Sequence, residues 1–244
     1  MEGYTLTIGH SGYSKEEEER LVRTLLGYGP DGVVLTGFTH TRATRSLLSR
    51  ADVPVVETWN IGTKPIDMAV GFSNFDGAFQ ATQHLISRGR KLLAFAGGTQ
   101  TDNDRTLARE AGFRAAVATA GLTVREDWVS TMPMELTSGI ELAKRFARMS
   151  RKPNAVFAAS DIIASGFILE CNRLGIKVPG EIAVIGFDDA PLAEAIEPQL
   201  TTVHVPQREI GRVAAKLILQ RLAGIRNNPR VHDVGFGIVV RASS

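Results

Sequence analysis

The sequence predicts an α/β chain of two mostly parallel sheets, each with helices on both faces. Three observations carry this. Short, continuous apolar runs rich in β-branched residues recur along the whole chain, as strands buried on both faces do. Amphipathic stretches of helical length separate them. Nine such runs are more than one doubly wound sheet holds comfortably, so two sheets fit better.

Taken in order, the first strand is expected over 5–9, TLTIG. Ser14 then precedes KEEEERLVRTLLGYG, a helix with an N-cap serine, an acidic first turn and Leu21, Leu25 and Leu26 on one face. GVVLTG (32–37), VPVVETW (53–59) and MAVGF (68–72) read as the next three strands. NFDGAFQATQHLISRG is a helix closed by glycine, and LLAFAGG (92–98) a strand that runs into a glycine turn. DRTLAREAGFRAAV is a helix with Arg105, Arg109 and Arg114 towards its start. WVSTM (128–132), the helix ELTSGIELAKRFARM, AVFAAS (155–160), the helix DIIASGFILECNRLG, IAVIGF (182–187) and TTVHV (201–205) complete the pattern. No Pro/Gly/Ser-rich linker separates two halves, so ordinary chain must cross between the sheets.

Composition narrows the function. Of 244 residues, 43% are apolar, enough for a substantial core. A net charge of +2 gives no basis for a nucleic-acid surface on this chain. With one cysteine, Cys171, no internal disulfide forms, in keeping with a reducing compartment. No run of about 18 apolar residues suggests a membrane span, and MEGYTLTIGH lacks the basic-then-apolar order of a signal peptide, so a cytoplasmic location is expected.

The reactive motifs are weak. None of the five histidines forms an H-x-x-x-H pair or neighbours Cys171, so no zinc site is expected. DNDRT (102–106) lacks the glycine and terminal glutamate of a calcium loop. GHSGY (9–13) has its second glycine one residue too early for a nucleophile elbow. AGGTQTD (96–102) is followed by no G-K-[ST], and GFGIVV (235–240) is half a dinucleotide fingerprint. No catalytic residue emerges, and the chain reads as a non-enzyme without cofactor.

Three features stand apart. IAVIGF runs into Asp188 and Asp189, adjacent acids at the C-terminal end of a core strand, where open α/β sheets bind ligands. Neighbours on a strand point to opposite sides, so the pair is expected to split. Asp188 would face a crevice and Asp189 cap the next turn, a purely structural role being the alternative. Arg109 could be a solvated charge or a guanidinium turned onto a carboxylate or vicinal oxygens. Trp59 could be core or a flat stacking surface for a sugar.

In combination, the segments GVVLTG, VGFSNFDGAFQATQHLISRGRKLLAFAGG, AREAGFRAAV, NAVFAASDIIASGFILECNRLGIKVPGEIAVIGFDD and EPQLTTVHVPQREIGRVAAKLI resemble, in order, the effector-binding part of the LacI/GalR family of transcriptional repressors. GHSGYSKEEEERL, VVLTGFTHTRAT, PIDMAVGFSNFDGA, TSGIELA, ECNRLGIKVP and HDVGFGIVV are similar to its gluconate-utilisation branch. The resemblance implies a two-lobed, periplasmic-binding-protein-like (type I) fold with three crossovers, near 60–67, 205–206 and 232–234. It divides the chain into 1–61 plus 206–233 and 62–205 plus 234–244, with a small-molecule effector, gluconate or a related sugar acid, in the cleft between. Residue by residue, it implies Arg109 for the effector's polar end, Asn103 and Arg105 from the preceding loop, and Ser160 and Asp188 for hydroxyls. Met134 stands where the family often has an aromatic, and Trp59 where it often has an acid. It also implies a homodimer that binds operator DNA through an N-terminal helix-turn-helix. The sequence has no counterpart of that helix-turn-helix, of the hinge helix, or of the first strand and helix of the N-terminal lobe. A sugar-binding protein of a transport system shares the fold and is the alternative.

Overall fold

The computed structural model describes residues 3–62, 64–98, 103–226 and 229–244. The chain divides into two compact units. The first comprises Met1–Gly71, Thr101–Asp104 and Glu209–His232; the second comprises Phe72–Gln100, Arg105–Arg208 and Asp233–Ser244.

In chain order the elements are α1 (Lys15–Leu26), β1 (Val33–Thr36), α2 (Arg42–Arg50), β2 (Val55–Thr58), β3 (Met68–Gly71), α3 (Asn74–Ser87), β4 (Leu93–Gly97) and α4 (Asp104–Thr119). There follow β5 (Val129–Thr131), α5 (Leu136–Ala147), β6 (Ala155–Ala158), α6 (Asp161–Arg173), β7 (Ala183–Asp188), α7 (Leu192–Ala195), β8 (Thr201–His204), α8 (Gln207–Leu222), β9 (Val231–Asp233) and β10 (Gly237–Val239).

The first unit is a four-stranded sheet in the order β1-β2-β3-β9, with β1, β2 and β3 parallel. The N-cap reading of Ser14 holds: its Oγ accepts from the amide of Glu17, and Thr41 Oγ1 does the same for Thr44 at the start of α2. Val22, Leu35, Leu48 and Val55 pack between these helices and the sheet. On the other side, Gly32 lies so close to Ile218 of α8 that a Cβ there would sit 2.7 Å from its Cγ2.

The strand expected over 5–9 does not form. Leu6 and Ile8 are 80% and 81% exposed, and the segment pairs with no strand. A strand needs a ladder, and β propensity alone supplies none. The short strands at 231–233 and 237–239 add to those the sequence predicts.

A buried ionic brace joins α1 to the sheet. His40 Nδ1 lies 2.6 Å from Glu18 of α1, and Nε2 lies 3.3 Å from Glu57 of β2, with both His40 and Glu57 side chains fully buried. The Glu57 carboxylate also accepts from the amide of Ile66 at 2.5 Å. Burial alone would lower the imidazole pKa, but the two carboxylates outweigh it and carry it up to about 9.

The second unit is a six-stranded sheet in the order β10-β8-β7-β6-β4-β5, parallel except for β10. Alternation along the strands sorts the two faces. Ala94, Ala96, Val156, Ala158 and Val184 cluster with Trp128, with Leu142 and Phe146 of α5, and with Phe167 and Ile168 of α6. The residues between them, Phe95, Phe157 and Phe187, form an aromatic layer on the opposite face. Phe95 and Phe157 meet edge to face at 5.6 Å, Phe157 and Phe187 lie 6.3 Å apart, and Phe113 of α4 joins at 5.3 Å from Phe95. α5 and α6 approach backbone to backbone. A Cβ on Gly139 would fall 2.0 Å from the carbonyl oxygen of Ile163, and one on Gly166 2.0 Å from that of Leu136. Cys171, in the buried face of α6, is fully enclosed, and burial pushes its thiol pKa up to about 12.

Two outcomes follow from this packing. Gly166→Ala forces α5 and α6 apart and is expected to destabilise the second unit by about 1–3 kcal/mol or more, read from urea unfolding. His40, with a folded pKa raised above its unfolded value, contributes stability that is complete below about pH 6.5. That contribution is lost as pH rises through about 9. The urea midpoint should therefore fall across this alkaline window, and the fall should be absent in His40→Asn.

Candidate functional site

A polar constellation gathers at the C-terminal end of β7. Arg109, on α4, is only 5% exposed. A buried guanidinium needs its donors placed, and two elements supply acceptors for them. Nε donates to Asn74 Oδ1 at the start of α3 (2.9 Å), and Nη1 donates to the carbonyl of Ala159 after β6 (2.6 Å). The plane rests on the Phe187 ring, with Cζ 3.7 Å from its centroid. Nη2 then lies 3.6 Å from Asp188 Oδ1.

Asp188 meets this guanidinium from the last position of β7. Ser160 Oγ, between β6 and α6, donates to Asp188 Oδ2 at 3.5 Å. Both approaches to the carboxylate are long for hydrogen bonds, and the side chain is 28% exposed. Its pKa is raised by burial, opposed by Arg109, Ser160 and the charge of Arg105. The result is a buried cation beside a partly exposed carboxylate.

The backbone here is strained. Asp188 has φ 114° and Asp189 φ 56°, both in a region that L residues rarely adopt. The expectation that Asp189 caps the next turn is not met. Its carboxylate instead accepts from Arg241 Nη2 and pairs with His204 Nδ1, each at 2.8 Å. At φ 56° the chain turns Asp189 away from α7 and towards β8 and the residues after β10. Its pKa is lowered, burial being outweighed by those two partners. The turn before α7 is held by Asp161, whose Oδ2 accepts from the amide of Ala190 at 2.7 Å.

The other expected residues come from several elements. Arg105 contributes charge near Asp188. Met134 packs on Gly98, where a Cβ would meet its Cε at 2.5 Å, and against the core cluster of α5 and α6. Trp59 and Asn103 belong to the first unit. Trp59 follows β2 with φ 70°, half-buried, its amide donating to Val70 at 3.2 Å. Asn103 is buried just before α4, and its neighbour Asp104 accepts from Phe38 N at 3.1 Å and Asn60 Nδ2 at 2.7 Å. Part of the DNDRT and AGGTQTD stretches, residues 99–102, lies outside the described residues.

Sequence reasoning missed Asn74 and Asp161. Each opens a helix and reads as a generic first-turn polar residue, and nothing in the one-dimensional pattern aims it inward. Asn74→Ala leaves the Arg109 Nε–H without its acceptor in a buried site. It should cost about 1–3 kcal/mol of stability by thermal or urea unfolding.

The comparisons with known proteins agree with this architecture. A family model described as a periplasmic binding protein-like domain matches residues 82–244. The HTH-type transcriptional regulator GntR of Escherichia coli K12 is 34% identical over 96% of this chain and 70% of its own length. The crystal structure of transcription regulator GntR from Chromobacterium violaceum superposes with a TM-score of 0.94 at 34% identity, covering 99% of this chain and 89% of that one. That of a LacI family transcriptional regulator from Silicibacter pomeroyi gives 0.88 at 32% identity, covering 97% and 86%.

Proposed function

Since the chain belongs to the LacI family of transcriptional regulators, as its periplasmic-binding-protein-like effector-binding part, we propose that it senses a sugar acid such as gluconate. The observation that supports this most is the Arg109–Asp188 pair. Arg109 has its plane fixed by Asn74, Ala159 and Phe187, so it offers an oriented positive charge to a carboxylate without reorganising. Asp188, whose contacts to Ser160 and Arg109 are 3.5 and 3.6 Å, can exchange them for shorter bonds from ligand hydroxyls. A sugar acid carries both groups. No step here makes or breaks a covalent bond, which favours a sensor over an enzyme.

In this reading, Ser160 and Arg105 complete the polar surface, and Trp59, Asn103 and Met134 are further effector contacts. Binding favours one arrangement of the protein, and that preference is passed to operator DNA in a homodimeric, cytoplasmic regulator through a helix-turn-helix. The balanced charge of the chain agrees with DNA contact lying elsewhere than on this part.

Arg109→Ala tests it. Calorimetry should show gluconate binding weakened by about 1.5–3 kcal/mol, the range for a hydrogen bond to a charged group. Arg109→Lys, which keeps the charge but loses the fork, should fall between. Unchanged affinity in a folded Arg109→Ala protein would remove the residue from the site. A wild-type chain that binds neither gluconate nor other sugar acids would remove the effector class.

A further inference from the structure

We propose that Asp161 is the positioning residue of this site: it clamps the corner after β7 and so aims Asp188 at Arg109. The inference rests on the reading of the Arg109–Asp188 pair as the effector site. Asp161 is 1% exposed. Its two oxygens are both engaged, Oδ2 by the amide of Ala190 at 2.7 Å and Oδ1 by the hydroxyl of Thr202 at 2.5 Å. Thr202 Oγ1 in turn accepts from the amide of Asp189 at 3.4 Å. One carboxylate therefore fixes the residue after the strained pair directly and the second member of the pair through a hydroxyl.

Strained backbone persists only where its surroundings over-determine it, and this clamp meets that need. The strand beneath is shaped to admit it. A Cβ on Gly186 would lie 2.2 Å from Asp161 Oδ1, so glycine leaves the space the carboxylate fills. Burial, with Asp188 and Asp189 nearby, lifts the Asp161 pKa to about 7 against the pull of Thr202 and Ala190.

Three variants of the whole chain decide the matter: Asp161→Asn, Thr202→Val and Thr202→Ser. Without ligand, hydrogen exchange at the Asp189 and Ala190 amides should rise about tenfold in Asp161→Asn and Thr202→Val and stay near wild type in Thr202→Ser. The Arg109 Nε–H resonance should shift in the first two variants only. Gluconate affinity should fall about tenfold in the same two and recover with serine. Should Asp161→Asn fail to fold, Thr202→Val carries the same readouts. Exchange unchanged in the folded variants overturns the proposal. So does faster exchange with the Arg109 resonance and gluconate affinity unmoved, which leaves Asp161 a merely structural group that changes only the melting midpoint. A wild-type chain that binds no gluconate counts against the functional reading alone, because exchange and the Arg109 resonance decide the clamp without ligand.

Discussion

A guanidinium taken out of water must find its hydrogen-bond acceptors before anything else around it can settle. Arg109 finds them on two different elements and lies flat on the ring of a third. That requirement ties the start of α3, the end of β6 and the end of β7 to one point on α4. Phe187 is at once a member of the phenylalanine face and the floor beneath the cation, so the packing of the sheet and the orientation of the charge are one arrangement.

The first unit solves a similar problem by different means. Glu57, in the middle of a parallel strand, is fully buried, and its charge is answered by His40, Arg45 and an amide. Both units thus place ionic groups inside, and in both the partners come from separate elements. Such contacts specify which helix sits against which strand more than they add to net stability, since each also carries the cost of leaving water.

Much of the fold was legible because buried parallel strands and amphipathic helices have distinct periods. Eight of the nine expected strands correspond to strands β1–β8 of the structure. The ninth, at 5–9, had the right composition and no partner, and pairing is a property of the sheet rather than of the segment. The site was legible in part. Arg109, Ser160 and Asp188 are brought together, because strand ends and helix starts in an α/β sheet converge on one edge. Asn74 and Asp161 were not visible, since an inward-facing polar residue at a helix start looks the same in sequence as an exposed cap. Nor could sequence foresee that Asp189 would turn to Arg241, more than fifty positions along the chain.

Cys171 gives the second unit a reporter of its own. It is the single thiol of the chain, it is fully enclosed on α6, and its high pKa keeps it protonated and unreactive at neutral pH. A thiol reagent in excess can therefore label the folded protein only when α6 comes away from its neighbours. The labelling rate becomes a clock for the opening of the helix that carries Asp161 at its first position, and it needs no engineered probe.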